Sequence, residues 1–264
     1  MIFESHAHLL AQQFDSDRDE VIKRAFENGV RAVLNVSDDL TVSKAAIEFA
    51  KNYSNIFSSV GIHPHNGKEF NDVDLDVLSD LALDPKTLAI GEIGLDYYYD
   101  FCPRDIQRDI FIKQLELAIQ LDMPVIIHNR EAHKDTIDIL ESFKGKIRGV
   151  IHSYSGSAES AEILLDVGLY ISFTGVITFK NARKTIEALE VVPLDRLLIE
   201  TDSPYLTPDP FRGKRNEPKN LIYIAKKMAE VKQVSYDSLV ETLWDNSFSL
   251  FNKAQPYRKA LEQS

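Results

Sequence analysis

Two histidines one residue apart, His6 and His8, follow a short apolar opening, Met1-Ile2-Phe3. Along a strand, side chains alternate between faces, so Glu4, His6 and His8 share one side. Paired imidazoles at a strand end suit a divalent metal. Taken alone, the pair reads equally well as an idle, solvent-facing strand end. Five later apolar stretches also finish in a ligand-type residue: His63, Glu92, His128, His152 and Asp202. Four of the seven histidines stand directly at such an end, which makes coincidence a poor explanation.

The four imidazoles of His6, His8, His128 and His152 and the two carboxylates of Glu92 and Asp202 exceed what one tetrahedral ion requires. They suit two divalent metals about 3.5–4 Å apart, bridged by a carboxylate. Glu92, midway in the strand order, is the natural bridge. One metal then takes His6, His8, Glu92 and Asp202, and the other takes Glu92, His128 and His152. Water on such a metal becomes hydroxide near neutral pH and attacks an electrophile, with Asp202 orienting it and taking its proton. The second metal and nearby cations stabilise charge building on substrate oxygens. Imidazole-rich sites favour Zn²⁺, Mn²⁺ or Fe²⁺, whereas Mg²⁺ prefers oxygen.

These residues must be positioned by elements scattered over two hundred positions. Short, largely β-branched strands are expected over 1–6, 30–36, 56–62, 88–92, 124–128, 149–152, 169–173 and 197–202. Helical periodicity falls between them, over 15–28, 40–53, 73–83, 104–121, 131–143, 157–166 and 181–189. Two further helices are expected over 221–231 and 237–251. Strand then helix, eight times, means a parallel sheet closed as a TIM-type (β/α)8 barrel, with extra helix at the C-terminus. An open doubly wound sheet would carry a glycine-rich phosphate loop after its first strand, and none is found. With no linker or low-complexity segment, residues 1–264 read as one domain. In a barrel all the C-terminal strand ends converge on one face.

The chain has 264 residues, 44% hydrophobic and 27% charged, with a formal net charge of −11. That balance argues against a broad basic nucleic-acid surface, but not against an enzyme touching a few phosphates at a metal centre. No stretch approaches a membrane span and no secretory signal is seen, so a cytoplasmic protein without membrane partners is expected. The single Cys102 cannot form an internal disulfide, which agrees with a reducing compartment. The sequence leaves the oligomeric state open, a monomer included.

Glu4-Ser5-His6-Ala7-His8, Gly61-Ile62-His63-Pro64-His65, Gly91-Glu92-Ile93-Gly94-Leu95-Asp96, Ile127-His128-Asn129-Arg130, His152-Ser153-Tyr154-Ser155-Gly156, Glu200-Thr201-Asp202-Ser203-Pro204-Tyr205 and Arg215-Asn216-Glu217-Pro218 resemble, in order, the successive motifs of the TatD family. Those are metal-dependent deoxyribonucleases of the amidohydrolase-like barrel superfamily. The resemblance spans nearly the whole chain. It implies a TIM-type barrel, two divalent metal ions (Mg, Mn or Zn), and phosphodiester hydrolysis in DNA, trimming single strands from the 3′ end. By the same resemblance His6, His8, Glu92, His128, His152 and Asp202 are metal ligands, and His63 contacts the scissile phosphate or its neighbour. Glu4 departs from the family's usual Asp. It would be a carboxylate one methylene longer beneath His6, or the partner of Arg148 in a buried ion pair.

Arg130, two residues past His128, can fork onto a phosphate; its plain alternative is a pair with Glu131. Arg215, with Arg212, Lys214 and Lys219, makes a locally basic loop over 203–219, read as a phosphate-tracking rim. Ser155 can offer a hydroxyl to a phosphate or merely cap a helix. Tyr97, Tyr98, Tyr99 and Phe101 follow Glu92; exposed aromatics there could stack bases, although packing on the adjacent helix suits at least two of them. Trp244 is expected in the core. The alternative activity is a binuclear metal hydrolase of a small amide, lactone or phosphoester, because fold does not fix substrate.

Overall fold

A computed structural model describes residues 1–263. The elements run β1 (Ile2–Ala7), α1 (Arg18–Glu27), β2 (Val30–Asn35), α2 (Leu40–Lys51), β3 (Ile56–Val60), α3 (Val73–Ala82), β4 (Thr87–Asp96), α4 (Arg104–Gln120), β5 (Val125–Arg130), α5 (His133–Ser142), β6 (Gly149–Ile151), α6 (Ala158–Val167), β7 (Tyr170–Phe173), α7 (Arg183–Val191) and β8 (Leu197–Ile199). Three helices follow: α8 (Leu221–Lys232), α9 (Tyr236–Leu250) and α10 (Gln255–Glu262). No helix among the described residues is long and apolar enough to cross a membrane.

The eight strands lie parallel in one sheet, in sequence order. The first and last meet just past the end of β8, where Asp202 N donates to His6 O at 3.0 Å and His8 N to Ser203 O at 2.8 Å. This joint brings Asp202 beside the two opening histidines.

Alternation along the strands explains what points where. Leu34, Phe57, Leu88, Ile126, Val150 and Leu198 join Phe3 in an apolar layer within the barrel. Two residues beyond Ile126, Val150 and Leu198, on the same face, stand His128, His152 and Glu200. The opposite face packs against the surrounding helices as the larger core. Trp244, Phe248 and Phe251 close the inner layer from below, and Trp244 is buried as expected.

Three local departures from the sequence reading matter. Strand β4 continues through Asp96 instead of ending at Glu92, pairing Gly94 with His128 and Asp96 with Arg130. Gly94 permits this, with φ +137° and a Cβ position that would collide with the His128 carbonyl. Helix α5 starts at His133, because Glu131 takes a left-handed φ of 54°. Helix α10 was hidden by Pro256, which sits in its first turn, where proline is tolerated.

Candidate metal centre

Glu92 stands at the centre of the barrel mouth, and its two carboxylate oxygens face different neighbours. Oε2 lies 3.4 Å from His6 Nε2 and 3.7 Å from His8 Nε2. Asp202 Oδ1 completes that set, 3.7 and 3.5 Å from the same two nitrogens, which are 3.2 Å apart. Donors held about 2.0–2.2 Å from a tetrahedral ion are roughly 3.3–3.6 Å from one another. The two nitrogens, taken with either carboxylate, therefore have separations close to those around one divalent cation.

Oε1 faces the other way. It lies 2.8 Å from both His128 Nδ1 and His152 Nε2, which are 3.2 Å apart. These three are drawn together at hydrogen-bonding distance, so the donor types fit a cation while the spacing is tighter than in the first set. The rings of His6 and His152 stack at 4.1 Å, so the two sets share a wall. His63 Nε2 lies 3.6 Å from Glu92 Oε1. Its Nδ1 accepts the His65 amide at 3.1 Å, which puts the hydrogen of a neutral ring on Nε2. His63 thus faces the cavity as a donor.

Burial opposes charge on Glu92, yet His152, His6, His63 and the His128 hydrogen bond hold its carboxyl well below the usual range. Burial also opposes charge on His152, but the Glu92 and Glu200 carboxylates raise it well above an ordinary imidazole. His63 goes the other way, because burial dominates and pushes it well down. Asp202 is lowered against its burial by His8, His6 and His152.

Several polar groups at this site were not singled out from the sequence. Asp96 Oδ2 meets His128 Nε2 at 3.1 Å and His65 Nε2 at 2.9 Å. Glu200 Oε1 approaches His152 Nδ1 at 3.3 Å and accepts the Ser153 amide at 2.5 Å. Both are buried carboxylates behind a ligand-type histidine, the arrangement that fixes ring orientation at metal sites. Their signal was parity: Asp96 is four residues past Glu92, and Glu200 two before Asp202. Asp38, after β2, also lines the cavity.

The remaining candidates divide. Arg130 and Ser155 line the cavity of about 810 Å³ that contains the histidines. Arg130 makes no pair with Glu131; its guanidinium lies over the rings of Tyr98 and Tyr99 at 4.2 and 4.7 Å. Ser155 is not the helix cap, since Ser157 Oγ accepts the Ser160 amide at the start of α6. Arg215 does not reach the mouth. It forks onto Asp17 with two bonds of 2.7 Å, and also donates to Gln13 O and Glu217. Its guanidinium is therefore occupied in tying the loop after β8 to the start of α1, and Lys219 pairs with the same Glu217 at 3.2 Å. Glu4 does not pair with Arg148, which turns out to Asp122. The Glu4 carboxylate accepts the amides of Thr201 at 2.9 Å and His6 at 3.2 Å, stitching β1 to the residues after β8.

Comparison with known proteins agrees with this geometry. A family model described as TatD related DNase matches residues 3–252. The chain is 42% identical to an uncharacterized metal-dependent hydrolase, YabD, of Bacillus subtilis, covering 95% of this chain and 99% of that protein. It is 35% identical to a protein of Shigella flexneri named 3′-5′ ssDNA/RNA exonuclease TatD, covering 96% and 100%. Among solved structures, the Escherichia coli TatD homolog YJJV superposes with a TM-score of 0.90 at 29% identity, covering 95% of this chain and 98% of that one.

Proposed function

The chain belongs to the TatD related DNase family of metal-dependent hydrolases, and from that premise we propose that it is a divalent-metal-dependent deoxyribonuclease that shortens single-stranded DNA from its 3′ end, residues 1–264 acting as one hydrolase domain. The observation that carries this reading is Glu92, with one oxygen turned to His6 and His8, which also face Asp202, and the other to His128 and His152. His6, His8, Glu92 and Asp202 would hold one cation, and Glu92, His128 and His152 a second. Two divalent cations held there, Mg, Mn or Zn, would supply Lewis acidity, lowering the pKa of water and offsetting phosphate charge.

The chain's own groups do the rest. Asp202, lowered into its charged form and facing the cavity, takes the proton of the attacking water. Arg130 forks onto a phosphate oxygen without first breaking a salt bridge. His63 donates from Nε2 to the scissile phosphate or its neighbour, and the Ser155 hydroxyl is free to do the same. The relative named as an exonuclease supports both the polarity and the single-stranded substrate.

The test is digestion of 5′-labelled single-stranded DNA with Mg²⁺, Mn²⁺ or Zn²⁺, using Asp202→Ala as control. A ladder shortening from the 3′ end, absent with the control, is expected. Turnover of small esters, lactones or amides far above that of DNA would replace the nuclease by the small-molecule hydrolase.

A further inference from the structure

Four aromatic side chains among the described residues are strongly exposed; Tyr99 and Tyr205 line the cavity, and Tyr98 and Phe101 pack against Tyr99. Tyr98, Tyr99 and Phe101 follow β4, and Tyr205 follows β8; they are 60%, 47%, 54% and 50% exposed. Only Tyr97 of that run turns inward, where its hydroxyl donates to Asp135 at 2.6 Å. Elsewhere the chain keeps its aromatic rings buried or half-buried.

The exposed rings are ordered. Tyr99 and Phe101 lie nearly parallel, 5.2 Å between centroids and 14° between planes. His65 stands edge-on to both, at 5.4 and 4.9 Å. Arg130 covers Tyr98 and Tyr99 and has no carboxylate partner among the described residues. Asp96 registers the whole group to the metal centre. Its Oδ1 accepts the amides of Tyr98 and Tyr99, each at 3.0 Å, while Oδ2 holds His65 and His128. One buried carboxylate thus sets both a ligand histidine and the aromatic loop.

We propose that the Tyr99–Phe101 pair is a stacking platform for the base of an unpaired terminal nucleotide, whose phosphate lies against Arg130, with Tyr205 across the mouth offering a second face. This rests on the nuclease reading and adds how the strand is chosen. A guanidinium free of carboxylates, in a chain of net charge −11, matches a phosphate. Flat rings beside it match a base, since every base has a π-face. Bases inside a duplex are covered by their neighbours, so the platform takes ends that can be unstacked. Stacking ignores both base identity and the sugar 2′-position, so the platform itself does not distinguish DNA from RNA ends.

The experiment compares strands ending in ordinary nucleotides with strands whose two terminal 3′ residues are abasic, by kcat/KM. Wild type is expected to prefer the base-bearing end by about 10-fold or more. In the Tyr99→Ala/Phe101→Ala double variant that ratio falls towards one, and Tyr99→Phe keeps it. A terminal 2-aminopurine gives a second readout, quenched on binding to wild type and bright on the double variant. Melting curves check that the exposed substitutions leave the fold intact. A preference that survives the double variant, or is absent from wild type, overturns the platform and leaves the nuclease standing. Failure of wild type to cleave either strand overturns both.

Discussion

At the lower end of the barrel, Phe3 packs its ring on Phe57, Trp244, Phe248 and Phe251, with centroids 5.6–6.4 Å apart. A buried cation nearby, Lys86, donates to the carbonyls of Tyr53, Ser54 and Ile56 and lies over Phe57 and Tyr257. At the upper end the same strands present histidines and carboxylates. There His6 Nδ1, Glu4 Oε2 and Asp38 Oδ1 are buried without a hydrogen-bond partner. Unpartnered buried polar atoms are costly, and native folds tolerate them where a function requires it. The contrast separates a layer that holds the barrel closed from a layer arranged for a ligand.

The largest effect should come from the upper layer. Glu92→Gln keeps shape but removes the charge shared by both donor sets. A loss of nuclease rate on the order of 10³-fold is expected, with an intact circular dichroism spectrum. If the rate survives, Glu92 does not link the two sets.

Trp244→Ala should do the reverse. Removing a buried indole costs about 3–5 kcal/mol of stability, read as a lower melting temperature, while kcat well below the transition stays near wild type. A variant that melts normally but loses activity would show that the lower layer is not merely structural.

Asp96→Asn sits between the layers in effect. It weakens the acceptor behind His128 and His65 without removing a ligand, so a drop of about 10–100-fold in metal affinity or activity is expected. Isothermal titration with Mn²⁺ or Zn²⁺ reads the metal term separately from the rate.

How much of this was legible in the sequence follows from the same division. Parity and apolar runs placed His6, His8, Glu92, His128, His152 and Asp202 together, because each follows or closes an apolar run and a barrel gathers the C-terminal parts of its strands on one face. Asp96 and Glu200 escaped because their role depends on a histidine in another strand, and sequence order does not show which carboxylate lies behind which ring. Strand β4 outruns its apolar stretch because Ile93-Gly94-Leu95-Asp96 looks like a loop until its register with β5 is known. Arg215 looked like a phosphate contact in a basic loop. Its partners Asp17 and Gln13 lie about two hundred residues away, and only the fold brings them near.

Asp17 tests whether charge near the mouth can be purely structural, and its effect should be the smallest. The Arg215 fork, helped by Arg24, overcomes partial burial and lowers the Asp17 carboxyl from 3.8 to about 2. A carboxyl lowered in the folded state stabilises the fold above its unfolded pKa. That increment fades as pH falls from about 4 towards 2, because the unfolded chain takes up the proton first. Wild type should therefore exceed Asp17→Asn by about 1 kcal/mol at pH 7, a modest figure because the pair is partly solvated. The gap between their melting temperatures should close near pH 2 and shrink with added salt. Nuclease activity at pH 7 should be alike in the two proteins if Arg215 serves only to tie the loop after β8 to α1. A marked rise in KM for DNA with Asp17→Asn would instead return Arg215 to the substrate path.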